Sequence, residues 1–342
     1  SQTGAVVRDA NATERTWNWL GAWLHWLYPL RDSPWWAQIV IYLALAGTVA
    51  ALLGQIVGLL RWRFAKPYRS GSRSPYAGGF ARWHHIGGLL FGLLLIAWIF
   101  SGLMSMRPWH LFDSPQPLAS AAYRGAALTA DSDPQAPGLT LARLRQAGFA
   151  SVELHWQVVG GQVYRVAYDR AGDSRVLPVA AGAEVLRRLP ASTLENAARA
   201  LQADGAVQVE WLERYDFYYY PRAEQSMFAS QRKRLPMLRV RFADPSATWL
   251  HLDPYSGAVI EQLDRRQRIE RWVFRLLHSW DWLPLLELAW LRELLIIVGS
   301  LGGLAISVSG VVLGWRRLLR VRGRLHSPRR ERAQAARLNR PA

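Results

Sequence analysis

The chain has 342 residues, half of them apolar, no cysteine and a formal net charge of +17. Without cysteine there are no disulfides, no iron–sulfur clusters and no thiolate metal sites. A soluble chain this basic would point to nucleic acid, but the charge is concentrated. Arg61 to Arg82 carries +6, and the tail from Arg316 to Ala342 carries +9. Both stretches abut long apolar runs, as cytoplasmic flanks do under the positive-inside rule, so a nucleic-acid partner is set aside.

In chain order, residues 1–32 read as an amphipathic lead-in. No basic n-region precedes an apolar run there, so no signal peptide is visible. Residues 33–60, 86–106 and 294–315 are charge-free for long enough to cross a membrane. Crossing a hydrocarbon core of about 30 Å takes roughly 20 apolar residues. Trp35, Trp36, Trp62, Trp98, Trp109, Trp282 and Trp315 lie mostly near the ends of these runs, where aromatic belts form. The basic loop 61–85 and the tail 316–342 are then cytoplasmic. The N-terminus and the region from 107 to about 285 face outward. An outward N-terminus without a signal leads us to expect a further span upstream of Ser1, giving four in the intact protein.

Residues 107–268 read as an α+β region made of two helix-plus-strands units. Asp113 to Gly138 reads as an extended lead-in and Leu139 to Gln146 as a helix. Val152–Val159 and Val163–Tyr168 alternate around Gly160–Gly161 and predict a hairpin, with a third strand at Arg175–Ala180. The second unit has a helix at Ser192–Ala203. Its strands are Val207–Glu213, Leu238–Phe242, Thr248–Leu252 and Ala258–Glu261. Asp253-Pro-Tyr-Ser-Gly257 marks the turn between the last two strands. Tyr218, Tyr219 and Tyr220 either cover the sheet or form a ligand surface. Residues 269–293 are a second amphipathic lead-in.

The chain repeats itself. Trp19, Leu24 and His25 align with Trp272, Leu277 and His278 at an offset of 253, and at the same offset Trp62–Arg63 aligns with Trp315–Arg316. Each unit therefore places a histidine on the outer approach to an outside-to-inside span. Neutral imidazole is a haem ligand, and six-coordinate iron needs two ligands from different segments. Ionisable groups near a membrane interior are functional candidates by default. His25 and His278 are thus haem-ligand candidates. His84 and His85, placed at the start of the second span, are candidates too. Adjacent helix residues point about 100° apart, so only one of the two faces a given iron. Gly88 and Gly92 follow His84 on its own face and admit either a flat macrocycle or another helix. His110 is a further outer candidate and His326 an inner one. His155 and His251 fall in predicted strands and read as ordinary domain residues. No phosphate loop, metalloprotease or serine-hydrolase motif is present.

Five motifs carry a resemblance. Arg82-Trp-His-His-Ile-Gly-Gly-Leu, Ser101-Gly-Leu-Met-Ser-Met, Arg271-Trp-Val-Phe-Arg-Leu-Leu-His and Ser309-Gly-Val-Val-Leu-Gly-Trp-Arg-Arg resemble the PepSY-associated transmembrane proteins. Leu252-Asp-Pro-Tyr-Ser-Gly-Ala-Val resembles the turn of PepSY domains themselves. Within that family the chain is most similar to FoxB-type inner-membrane ferric-siderophore reductases. The resemblance implies a membrane α-helical bundle in the bacterial inner membrane, with a PepSY-like α+β domain in the periplasm. It also implies haem b, one or two per chain, and electron transfer to a ferric siderophore that releases Fe(II). The electron donor, cytoplasmic or membrane-borne, is not visible. Two other readings stay open: a PepSY-type regulator or binding protein without redox activity, and an iron or haem transporter.

Overall fold

The computed structural model describes residues 10–115, 120–180, 182–201, 206–222 and 233–325. They form two units, one from residues 10–108 with 273–325 and the other from the described residues of 109–272.

The first unit is helical. Helix α1 (Ala12–Asn18) is closed by a capping box, in which the Asn11 side chain accepts from the Glu14 amide and the Glu14 side chain from the Asn11 amide. A π-helical turn, Trp19–Leu24, leads to His25. Then come α2 (Trp36–Arg61) and α3 (Gly79–Ser105). After the second unit the chain returns through a π-helical turn, Arg271–Leu276, and α8 (Leu277–Ser279). It ends in α9 (Leu283–Glu287) and α10 (Ala289–Leu325). Helices α2, α3 and α10 are long and apolar enough to cross a membrane. Their surface is inverted relative to a water-soluble bundle: Leu60, Leu90, Leu93 and Val311 are 70–80% exposed, whereas His85, Ser101 and Ser309 are buried. Hydrocarbon solvent favours that arrangement and water opposes it.

Helix α3 packs against both α2 and α10. The α3–α10 seam depends on small residues. A Cβ at Gly302 would collide with the Phe91 ring, and one at Gly299 would lie 3.1 Å from Trp98. Close approach of this kind is how helices associate where lipid removes the hydrophobic drive.

Two helix boundaries differ from expectation. Helix α3 starts at Gly79 rather than 86, so His84 and His85 lie inside it. The charge-free criterion stopped at Arg82, but arginine is a good helix former and its long side chain reaches outward from the helix end. For the same reason α10 runs past Trp315 through Arg316, Arg317, Arg320 and Arg322.

The second unit follows the two-unit plan. After α4 (Ser120–Arg124), a helix α5 (Pro137–Gln146) precedes strands β1 (Glu153–Val159), β2 (Gln162–Tyr168) and β3 (Ser174–Pro178). Helix α6 (Ala191–Arg199) precedes β4 (Val207–Leu212), β5 (Met237–Phe242), β6 (Trp249–Leu252) and β7 (Val259–Leu263). Helix α7 (Arg265–Glu270) ends the unit, capped by Asp264. Each set of strands forms an antiparallel meander in sequence order. Gly160 and Gly161 both have positive φ, as the predicted two-residue hairpin turn requires. The short α4 was missed, because Ser, Pro and Ala dominate the segment around it.

One core joins both sheets and α6 through Val159, Val176, Leu194, Leu238, Leu250 and Leu252. The Asp253–Gly257 turn closes over it. Gly257 has φ +76°, and a Cβ there would sit 2.7 Å from Val159 and 2.8 Å from Leu189. Glycine is needed at that position for both conformation and space.

Candidate functional site

The repeat seen in the sequence is also present in the backbone. Each half has a π-helical turn, then its histidine, then a left-handed residue: Leu27 at φ 52° in one and Trp280 at φ 53° in the other. Leu27 and Trp280 are again 253 apart, and so are the first residues of α2 and α10, Trp36 and Ala289. π-turns are rare and gather at functional sites. Here each leads into one of two histidines whose rings are neighbours.

The rings of His25 and His278 have centroids 6.3 Å apart and are tilted by 46°. Two imidazoles on opposite sides of one metal ion, each bonded at about 2.0–2.1 Å, would have their centroids about 6 Å apart. His278 is fixed from behind. Its Nδ1 lies 3.0 Å from Ser101 Oγ on α3, and the Ser101 hydroxyl donates to the Trp98 carbonyl. Nδ1–H therefore donates to Ser101, and Nε2 remains an acceptor. Burial pushes the His278 pKa down and His25 beside it pushes it further, favouring the neutral imidazole that binds metal. A Cβ at Gly102 would lie 3.6 Å from His278 Cε1. After His278 the turn is held by Arg292, which donates to the Ser279 carbonyl and pairs with the buried Asp281 at 3.7 Å.

The donor chemistry of the pair is compatible with a haem. The donor set is two imidazoles with neighbouring rings, and a bound porphyrin would supply the other four ligands. The buried indole N–H of Trp98, which has no partner among the described residues, is available to a ligand's polar edge. Among the described residues no cluster of three or more His, Cys, Asp or Glu forms a metal site, so a bare ion gains no comparable shell.

His84 and His85 part company. His85 is buried against α2. Its Nε2 lies 2.9 Å from the Gly58 carbonyl, which only accepts, and its Nδ1 lies 2.8 Å from Ser74 Oγ. Both nitrogens are engaged, so in this structure His85 ties the loop to the helix. His84 turns toward α10, with Nδ1 3.1 Å from the Ile306 carbonyl and 3.0 Å from Ser309 Oγ. With Gly88 and Gly92 it lines a cavity of about 490 Å³ between α2, α3 and α10.

The remaining candidates lie elsewhere. His110 is exposed in the second unit and bonded to Asp113 at 2.6 Å. His326 lies outside the described residues. His155 pairs with Glu153, and His251 is a fully buried core residue bonded to Arg239. Tyr219 and Tyr220 are 1% and 2% exposed, so they are not a ligand surface. Tyr219 packs on His251 and donates to the Arg234 carbonyl. Alternation along an irregular segment does not reveal that burial. Tyr218 is half-buried and accepts from Trp272 at 3.1 Å. Ser101 was visible only within a motif; its backing of His278 needed the fold.

No protein-family model, no curated protein and no solved structure matches the chain. The PepSY and FoxB-type resemblance therefore rests on the motifs alone.

Proposed function

We propose that this chain is a haem b protein of the bacterial inner membrane that carries electrons outward and reduces ferric siderophore in the periplasm, releasing Fe(II). The observation behind it is the neighbouring pair His25 and His278, delivered by two copies of one backbone motif. Bound haem would supply a one-electron couple. The protein's part is to present two imidazoles from its two halves and to hold His278 through Ser101. The ferric chelate as substrate, the periplasmic side and the PepSY character of the second unit are supported by the motif resemblance and the positions of the arginines. Ferric iron in a siderophore is held by hard oxygen ligands that grip Fe(II) far more weakly, so adding one electron is a release step.

The test is the visible spectrum of the purified chain. A Soret band with sharp α and β bands on dithionite reduction is expected, and His25→Ala and His278→Ala should each abolish the bis-histidine signature. A colourless protein would sink the haem reading and favour a non-redox binding role. A haem protein that ferric siderophore fails to reoxidise would sink only the choice of substrate.

A further inference from the structure

The cavity beside His84 lies toward the end of the bundle that carries the basic loop, away from the histidine pair. Its volume of about 490 Å³ falls within the roughly 300–1,000 Å³ of small-molecule sites. It lies within the length of the apolar helices, so its ligand must be at home in hydrocarbon.

Glycines form much of its wall; Gly58 and Gly92 let α2 and α3 approach closely, but Gly54 and Gly88 do not serve packing. A Cβ at Gly54 or Gly88 would meet nothing within 4 Å, so these positions leave the cavity open. Two polar side chains border it. The Gln55 amide presses on Gly92, where a Cβ would overlap its oxygen, and it makes no hydrogen bond to another described residue. A primary amide in an apolar span is costly unless something satisfies it. His84 is the second. The Ile306 carbonyl can only accept, so Nδ1 carries the proton and Nε2 is left as an acceptor. Arg61 also borders the cavity.

A second macrocycle suits this set poorly. In this structure both nitrogens of His85 are engaged, which leaves iron here one imidazole among the described residues. A para-hydroquinone suits it better. It is flat, lipid-soluble and carries one hydroxyl at each end, which matches an imidazole acceptor and an amide.

We infer that this cavity is the oxidation site of a membrane hydroquinone, the electron source for the reductase proposed above, on which this assignment rests. His84 Nε2 accepts the proton of one hydroxyl while Gln55 holds the other oxygen. Both O–H bonds break, the ring becomes the quinone, and two protons leave to water past Arg61. The two electrons pass outward along α3 and reduce two ferric ions to Fe(II). Gly92 and Ser101 are separated by about 14 Å of helix, at 1.5 Å per residue, a short path for tunnelling through packed protein.

The experiment uses the full chain in detergent or nanodiscs and has two arms. Quinone extracted from the purified protein is counted per chain, and haem reduction by decyl-ubiquinol is followed by stopped flow. The wild type should carry about one quinone and be reduced by the quinol. Gly88→Leu fills the cavity, and Gln55→Leu removes the amide at nearly constant volume. Both should lower quinone content and reduction rate at least tenfold, with the dithionite-reduced spectrum unchanged. Quinol reduction of both variants at the wild-type rate would overturn the assignment. Loss of about half the Soret band in His84→Ala would overturn it as well, because the cavity would then hold a haem. The quinone count does not depend on haem: a colourless protein that still carries one quinone supports the site and sinks the reductase, and a haem-loaded protein with none does the reverse.

Discussion

Single side chains decide which histidines are free to act. His84 and His85 are neighbours in sequence, and only the helix turn between them sends one to α10 and the other to α2. The pattern showed that they diverge, but not which one keeps a free nitrogen. That depends on the Gly58 and Ile306 carbonyls, which come from segments 27 and 222 residues away. His25 and His278 were legible because the repeat named them together. Ser101 sets the tautomer of His278 without touching any ligand itself. Ser101→Ala is expected to leave the fold intact and weaken haem retention about 10- to 100-fold, measured as haem transfer to a scavenging apoprotein. Retention equal to the wild type would show that His278 needs no support from α3.

Among the elements, α3 organises the bundle, and its seam with α10 is set by glycine. Gly302→Leu should force Phe91 out of place and cost about 1–3 kcal/mol, read as a lower Tm and poorer recovery from detergent; an unchanged Tm would mean the seam is looser than the structure indicates. The strands were readable because alternation and Gly-Gly or Asp-Pro-x-Ser-Gly turns are local signals. Helix ends at the arginine-rich flanks were not, since charge marks where a lipid-facing surface stops, not where backbone hydrogen bonding stops. The π-turns were hidden for another reason: nothing in residue type distinguishes Trp19–Leu24 from an ordinary amphipathic turn.

For the molecule as a whole, two properties are open to measurement. The second unit stakes part of its stability on a buried chain of charges. Asp216 pairs with Arg239 at 2.7 Å, Arg239 donates to His251 at 2.9 Å, and Glu261 accepts from Lys233 at 2.9 Å. Burial holds His251 below its ordinary 6.5. Burial alone would raise Glu261, but His251 and Lys233 outweigh it and bring Glu261 down to about 2. Both groups bind protons more readily once unfolded, so stability falls as pH drops. The loss begins near 6.5 through His251 and continues between 4.5 and about 2 through Glu261. A Tm that stays level from pH 7 to pH 5 would contradict this. Orientation can be tested without background, because the chain has no cysteine. Arg69→Cys and Arg145→Cys, both exposed, should react with an impermeant thiol reagent from opposite faces of the membrane; labelling from the same face would refute the proposed topology. The repeat carries one more implication. His25 and His278 stand 253 residues apart, so whatever they grip together acts as a clip across most of the chain, and closing so long a loop removes more unfolded-state entropy than a local link would. Loading the site should therefore raise the melting temperature of the helical unit as well as colour it.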